Sequence, residues 1–180
     1  MSDLRYRRLR RDELEEVQPQ FIHFLAANGL PGPDWEQLKA EDPQRADRLI
    51  HEFSQVIFGT TLERIEFLIE RHPKDLRTYR CGPETIEMNG LRIEGQTSLD
   101  LSDNSIPPSV MMQQLREDGA RVQLYSGQRA YRPYPAATNG SSDAPDRSFD
   151  LYRLMEGGAL ISDGELFLLL ESLKGSSFSR

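Results

Sequence analysis

Apolar residues recur at helical spacing through the N-terminal half of the chain and then shift towards alternation, so helices should precede strands. Leu14, Val17, Phe21, Phe24 and Leu25 share one face of a helix expected from an N-cap at Asp12 to a stop at Asn28-Gly29. Pro19 falls inside that pattern and should kink the helix or split it after Gln18. A short helix is expected from Asp34, with Gln37 three residues on as in a capping box. Asp42-Pro43 is the next start signal, because proline at the first helical position gives up an N–H that had no partner. Ala46, Leu49, Ile50, Phe53 and Ile57 then form one stripe. Leu62, Ile65 and Ile69 lie on a rotated face, which predicts a kink or an end near Gly59.

From about Glu66 the pattern favours strands. Arg77 to Cys81 is one, and Thr85 to Glu94 reads as a hairpin turning at Asn89-Gly90. That register sets Met88 opposite Leu91, Ile86 opposite Ile93, and Glu87 opposite Arg92. A helix carrying Val110, Met111 and Leu115 should follow Pro107-Pro108 and stop at Gly119. Ala120 to Tyr131 reads as a second hairpin around Ser126-Gly127, with Val122 and Leu124 inward. Two helices close the chain: one near Phe149 to Met155, ended by Gly157-Gly158, and one from Ser162 to Lys174, with Ser162 and Glu165 as a capping box.

The expected fold class is therefore α+β, a helical N-terminal half followed by antiparallel β-hairpins and two C-terminal helices. Residues 1–11 form a basic arm. Residues 12–132 and 148–174 form one domain, whose division into lobes, if any, falls near 95–105. Residues 133–147 read as a linker and 175–180 as a tail.

Charge is uneven along the chain. Five arginines stand among the first eleven residues against Asp3, within a formal net charge of -7 that argues against a general nucleic-acid coat. A single cysteine, Cys81, excludes an internal disulfide and suits a reducing cytoplasm. The longest strongly apolar run, Leu166 to Leu170, is far too short to span a membrane. The basic N-terminus runs into Asp12-Glu13-Leu14-Glu15-Glu16, where a signal peptide needs an apolar stretch, so the expected location is the cytoplasm.

Several stretches together resemble an uncharacterised family of small bacterial proteins: Tyr6-Arg7-Arg8-Leu9, Phe21-Ile22-His23-Phe24-Leu25-Ala26, Asp34-Trp35, Phe53-Ser54 and Ile161-Ser162-Asp163-Gly164-Glu165-Leu166. The resemblance implies a cytoplasmic bacterial protein and supplies no catalytic residues.

Motifs for known chemistry each fail at a named position. His51-Glu52-Phe53-Ser54-Gln55 approaches a zinc-protease helix, but Gln55 stands where the second imidazole is needed, and Asp47 one turn away completes only a weak ligand set. Asp100-Leu101-Ser102-Asp103-Asn104 approaches a calcium loop, but Ser105 replaces the glycine and Met111 the bidentate glutamate. Cys81 beside Arg80 reads as a strand cysteine rather than an activated thiolate. No metal and no cofactor is expected. An enzyme would need a pocket joining His23, His51 or His72 to carboxylates distant in sequence.

Two surfaces remain. The last helix carries Leu166, Leu169, Leu170 and Leu173 on one face, with Phe167 on the flank and Leu168 opposite, so it calls for a second burial surface. The segment from Arg121 to Tyr134 interleaves Arg121, Arg129 and Arg132 with Tyr125, Tyr131 and Tyr134. The expected function is a non-enzymatic protein-interaction or regulatory module binding another protein, or a second copy of itself, through Phe167, Leu168, Arg121, Tyr125, Arg129, Tyr131 and Arg132. The alternative is an RNA- or ribosome-associated factor gripping phosphates with Arg7, Arg8, Arg10, Arg121, Arg129 and Arg132; the solvated counter-view has the basic arm lying on acidic helices.

Overall fold

The computed structural model describes residues 4–134 and 144–174. The fold is α+β, and the chain divides between Glu63 and Arg64 into two compact units. The position near 95–105 lies inside the second of them. Most of the expected linker and the whole expected tail lie outside the described residues.

The first unit is helical: α1 (Arg11–Glu16), α2 (Gln18–Ala27), α3 (Gly32–Glu41) and α4 (Pro43–Arg64). The expected first helix breaks at Val17, where Pro19 enters the first turn of α2. The third helix begins two residues before Asp34, after Pro31. Asp42 caps α4, its Oδ1 accepting from the Arg45 N–H at 3.0 Å. The helix does not end at Gly59; α4 is continuous through it, 22 residues in all. One helical glycine costs only about 1 kcal/mol, and α4 keeps burying side chains beyond it, at Leu62. Phe21, Phe24, Phe53 and Trp35 form the aromatic centre, with Phe21 5.0 Å from Phe53 and 5.3 Å from Trp35.

The near-zinc motif on α4 is a strap for the arm. Gln55 forms a two-way amide clamp, donating to the Tyr6 carbonyl (2.9 Å) and accepting from the Tyr6 N–H (3.0 Å). His51 Nε2–H donates to the same carbonyl (2.9 Å), while Ser54 Oγ accepts from the Leu9 N–H (2.9 Å). Arg7 makes two bonds to Glu13, at 2.6 and 2.7 Å. That guanidinium, with further help from Arg10, holds the Glu13 carboxyl down at about 2 against the opposing effect of burial. Arg8 pairs with Asp47 at 2.8 Å and Arg10 with Glu13. The arm therefore lies on acidic helices.

The second unit is a five-stranded antiparallel sheet in the order β4-β3-β2-β1-β5. Its elements are β1 (Phe67–His72), β2 (Asp75–Cys81), β3 (Thr85–Glu94), α5 (Pro108–Asp118), β4 (Arg121–Ala130), α6 (Arg147–Glu156), β5 (Leu160–Ser162) and α7 (Glu165–Leu173). Neither expected hairpin turn exists. Asn89-Gly90 and Ser126-Gly127 lie mid-strand, paired with each other: Asn89 opposite Ser126 and Met88 opposite Gly127. None of these residues has a positive φ, which a type I′ turn requires. Glu87 faces Arg80 at 2.5 Å, not Arg92, and Arg92 faces Asp75.

On one face Leu76, Leu91 and Ile93 pack with Met111, Met112 and Leu115 of α5 and with Leu166 and Leu170 of α7. Met112 takes the inward place expected of Val110, which is exposed. Leu101, from the near-calcium loop, plugs this core, while Asp100 and Asp103 are engaged by Ser102 and Ser105. The chain after Met155 holds a strand missed in the sequence, β5, which pairs Phe67–Ile69. Ser162 therefore belongs to a strand, and the expected capping box is replaced by Gly164 as N-cap. Gly164 has φ +85° and faces the Phe67 ring, so a Cβ would lie 2.6 Å from that ring.

Candidate protein-docking groove

The sheet has two unequal edges. β5 is three residues long, a short edge of the kind that resists strand addition. β4 is ten residues long, contains no proline, and pairs with β3 at every position without a bulge. Its other side makes no backbone hydrogen bond to any described residue. From Val122 to Gln128 it carries no charge, while Arg121 and Arg129 stand near its two ends.

Along this edge, α7 and β4 enclose a groove of about 410 Å³. Val122, Leu124, Leu170 and Leu173 make its apolar walls; Asn89 and Ser126 are polar groups on the same sheet face. Asn89 is 1% exposed, and its Nδ2 donates to Glu171 Oε2 at 2.6 Å and to the Phe167 carbonyl at 3.4 Å. Among the described residues Asn89 Oδ1 has no hydrogen-bond partner. Glu171 is held below its usual range by Lys174 and by Asn89.

The opposite face of β4 is built for structure. Tyr125 lies over Gly90, where a Cβ would come within 2.2 Å of the ring. Its hydroxyl donates to Asp75 at 2.5 Å and accepts from Arg77 Nε at 3.4 Å, and Arg92 stacks on the ring at 5.5 Å. Tyr79 donates to Glu70 at 2.9 Å. Burial opposes ionisation of Asp75, but the Tyr125 hydroxyl and Arg77 outweigh it and lower its pKa.

Of the expected contact residues, Phe167 is not available at a surface. It is 1% exposed, packed against Phe67 and under Arg80, because α7 sits flat on the sheet. Leu168 does project outward, 56% exposed. Arg121 is exposed and pairs with Glu94 at 3.1 Å. Arg129 is tied to the buried Asp150, and Arg132 is exposed with its N–H on the same carboxylate at 3.0 Å. Tyr131 is buried and donates to the Gly82 carbonyl at 2.7 Å; burial pushes its phenol up to about 12. Arg7, Arg8 and Arg10 belong to the first unit, and Arg121, Arg129 and Arg132 to the second. The structure thus brings the last helix and the Arg/Tyr segment to one groove, which Tyr125, of the expected contact residues, lines together with Asn89, Val122, Leu124, Ser126, Leu170 and Leu173. Asn89, Ser126 and Glu171 were missed, because a polar Asn-Gly pair reads as a turn.

His23 and His72 are exposed, the latter 3.4 Å from Glu70. Among the described residues no group of three or more His, Cys, Asp or Glu could hold a metal ion. Cys81 is buried, and burial pushes its thiol up to about 11 against the pull of Arg147. Among the described residues no helix is long and apolar enough to cross a membrane. No curated protein and no solved structure matches the chain. A family model described as Family of unknown function (DUF6495) matches residues 4–175, and the chain belongs to that family.

Proposed function

We propose that this protein is a non-enzymatic interaction module whose second unit takes an extended segment of another protein as a sixth strand beside β4. The observation that carries the reading is the long, regular, open edge of β4 with an apolar groove along it. Main-chain bonds to the edge supply affinity in strand addition, and side chains entering a groove supply selectivity. The stretch from Val122 to Gln128 carries no charge, which suits a segment with an uncharged centre. The setting we propose is the bacterial cytoplasm, which the buried, unpaired Cys81 suits.

The RNA alternative has less support. Arg7, Arg8, Arg10, Arg121 and Arg129 already face carboxylates, so a phosphate would first have to displace an ion pair.

The test is a selection of random twelve-residue peptides displayed on phage against the full chain, followed by amide chemical-shift mapping with a selected peptide. Shifts should concentrate on β4 and the facing side of α7. Peptides that map to the first unit or to β5 would overturn the reading. So would an absence of binders combined with concentration-dependent dimerisation that protects β4, because that result assigns the edge to a second copy.

A further inference from the structure

We infer that the groove reads one residue of the added strand, an aromatic side chain with a hydrogen-bond donor at its tip, tryptophan or tyrosine, donating to Asn89 Oδ1. The inference rests on the strand-addition reading and specifies the partner's chemistry at that same site.

A buried amide oxygen without a partner is uncommon in a folded protein and calls for an explanation. Asn89 cannot turn away to satisfy it. Its Nδ2 is anchored by the Glu171 carboxylate, itself held by Lys174 at 2.8 Å, and exchanging the amide ends would set an oxygen against that carboxylate. The free group is therefore an acceptor of fixed orientation, and it asks for a donor.

The approach is set by the sheet. Asn89 stands opposite Ser126 on β4, so a residue facing Ser126 on an added strand points to the same face. It starts two strand spacings from Asn89, about 9–10 Å away. Ser126 is small and exposed, and it lines the same groove as Asn89. Val122, Leu124, Leu170 and Leu173 supply the walls for a flat apolar body. A long aromatic ring spans this distance with apolar contact along its length and a donor at its end, whereas an aliphatic side chain brings no donor. Buried Trp N–H and Tyr O–H groups ordinarily find such an acceptor.

The experiment is an amide and side-chain amide NMR titration of the full chain with indole and with 1-methylindole, which keeps the ring and lacks the donor. Indole should shift the Asn89 side-chain amide together with Gly90, Ser126 and Leu170, saturably, and 1-methylindole should bind at least about fivefold more weakly. Ser126→Phe, a change at an exposed position, should abolish the shifts while leaving the rest of the spectrum folded. Equal binding of the two compounds, or no indole shift at the groove, would overturn the inference. Because free indole adds no strand, the two ideas fail separately. Indole binding without peptide pairing at β4 sinks the strand reading alone, and peptide pairing without an indole site sinks this inference alone.

Discussion

Replacing Gly90 by alanine is expected to destabilise the protein by about 2 kcal/mol in chemical denaturation, the scale of an overpacked site combined with a lost hydrogen bond to a charged group. The backbone at Gly90 is not left-handed, so the penalty is one of space. The new Cβ would stand 2.2 Å from Tyr125 Cζ and would force the ring off the strand. The displaced tyrosine would lose its bond to Asp75 and its stacking with Arg92. Tyr125→Ser should also destabilise, and the double variant should cost no more than the worse single one, because both changes remove the same arrangement. The loss should shrink in acid. Asp75 has a folded pKa below its unfolded value, so its contribution is full above the unfolded pKa and disappears as pH falls through the folded one. A Gly90→Ala variant within 0.5 kcal/mol of the parent, on the roughly ordinary scale of surface changes, would contradict this account of the strand pair.

Arg129→Met should cost about 3 kcal/mol, well beyond the usual value of an exposed ion pair. Asp150 is 2% exposed and receives both terminal nitrogens of Arg129. Without them its charge keeps, among the described contacts, only the Arg132 N–H at 3.0 Å. Adding Asp150→Asn to Arg129→Met should recover at least half of the loss by removing the uncompensated charge. Thermal unfolding of the two variants decides the matter, and a loss below about 1 kcal/mol in the single variant would mean that the pair acts as a surface contact. Binding lost on changing Arg129 would thus report a damaged fold, although its place in an Arg/Tyr segment invites a ligand-binding interpretation.

The misread hairpins show what local pattern could and could not carry. In β3 the apolar set changes face at Asn89-Gly90: Ile86 and Met88 point to one side, Leu91 and Ile93 to the other. A hairpin turn produces the same alternation in sequence, and Asn-Gly is its favoured turn pair. What distinguishes the two cases lies elsewhere in the chain, in Tyr125 needing room above Gly90 and in Glu171 holding Asn89. Helix starts were legible where the device is local, as at Asp42-Pro43 and Pro107-Pro108. The three-residue β5 was not, since so short a strand exists only through its pairing with β1. The groove followed the same rule. Its helix and its strand were both visible as surfaces awaiting contact, but Phe167 and Leu168 share one helix and only packing assigns one to the core and one to water.

The proposed main-chain pairing along β4 is tested most directly by methylating, one at a time, the backbone nitrogens of a selected peptide and measuring its affinity for the full chain. In an added strand alternate N–H groups face the edge, so affinity should fall at every second residue, about tenfold per lost bond, and hold at the residues between. Losses that are uniform, or that recur with helical spacing, would show that the segment does not lie beside β4 as a strand.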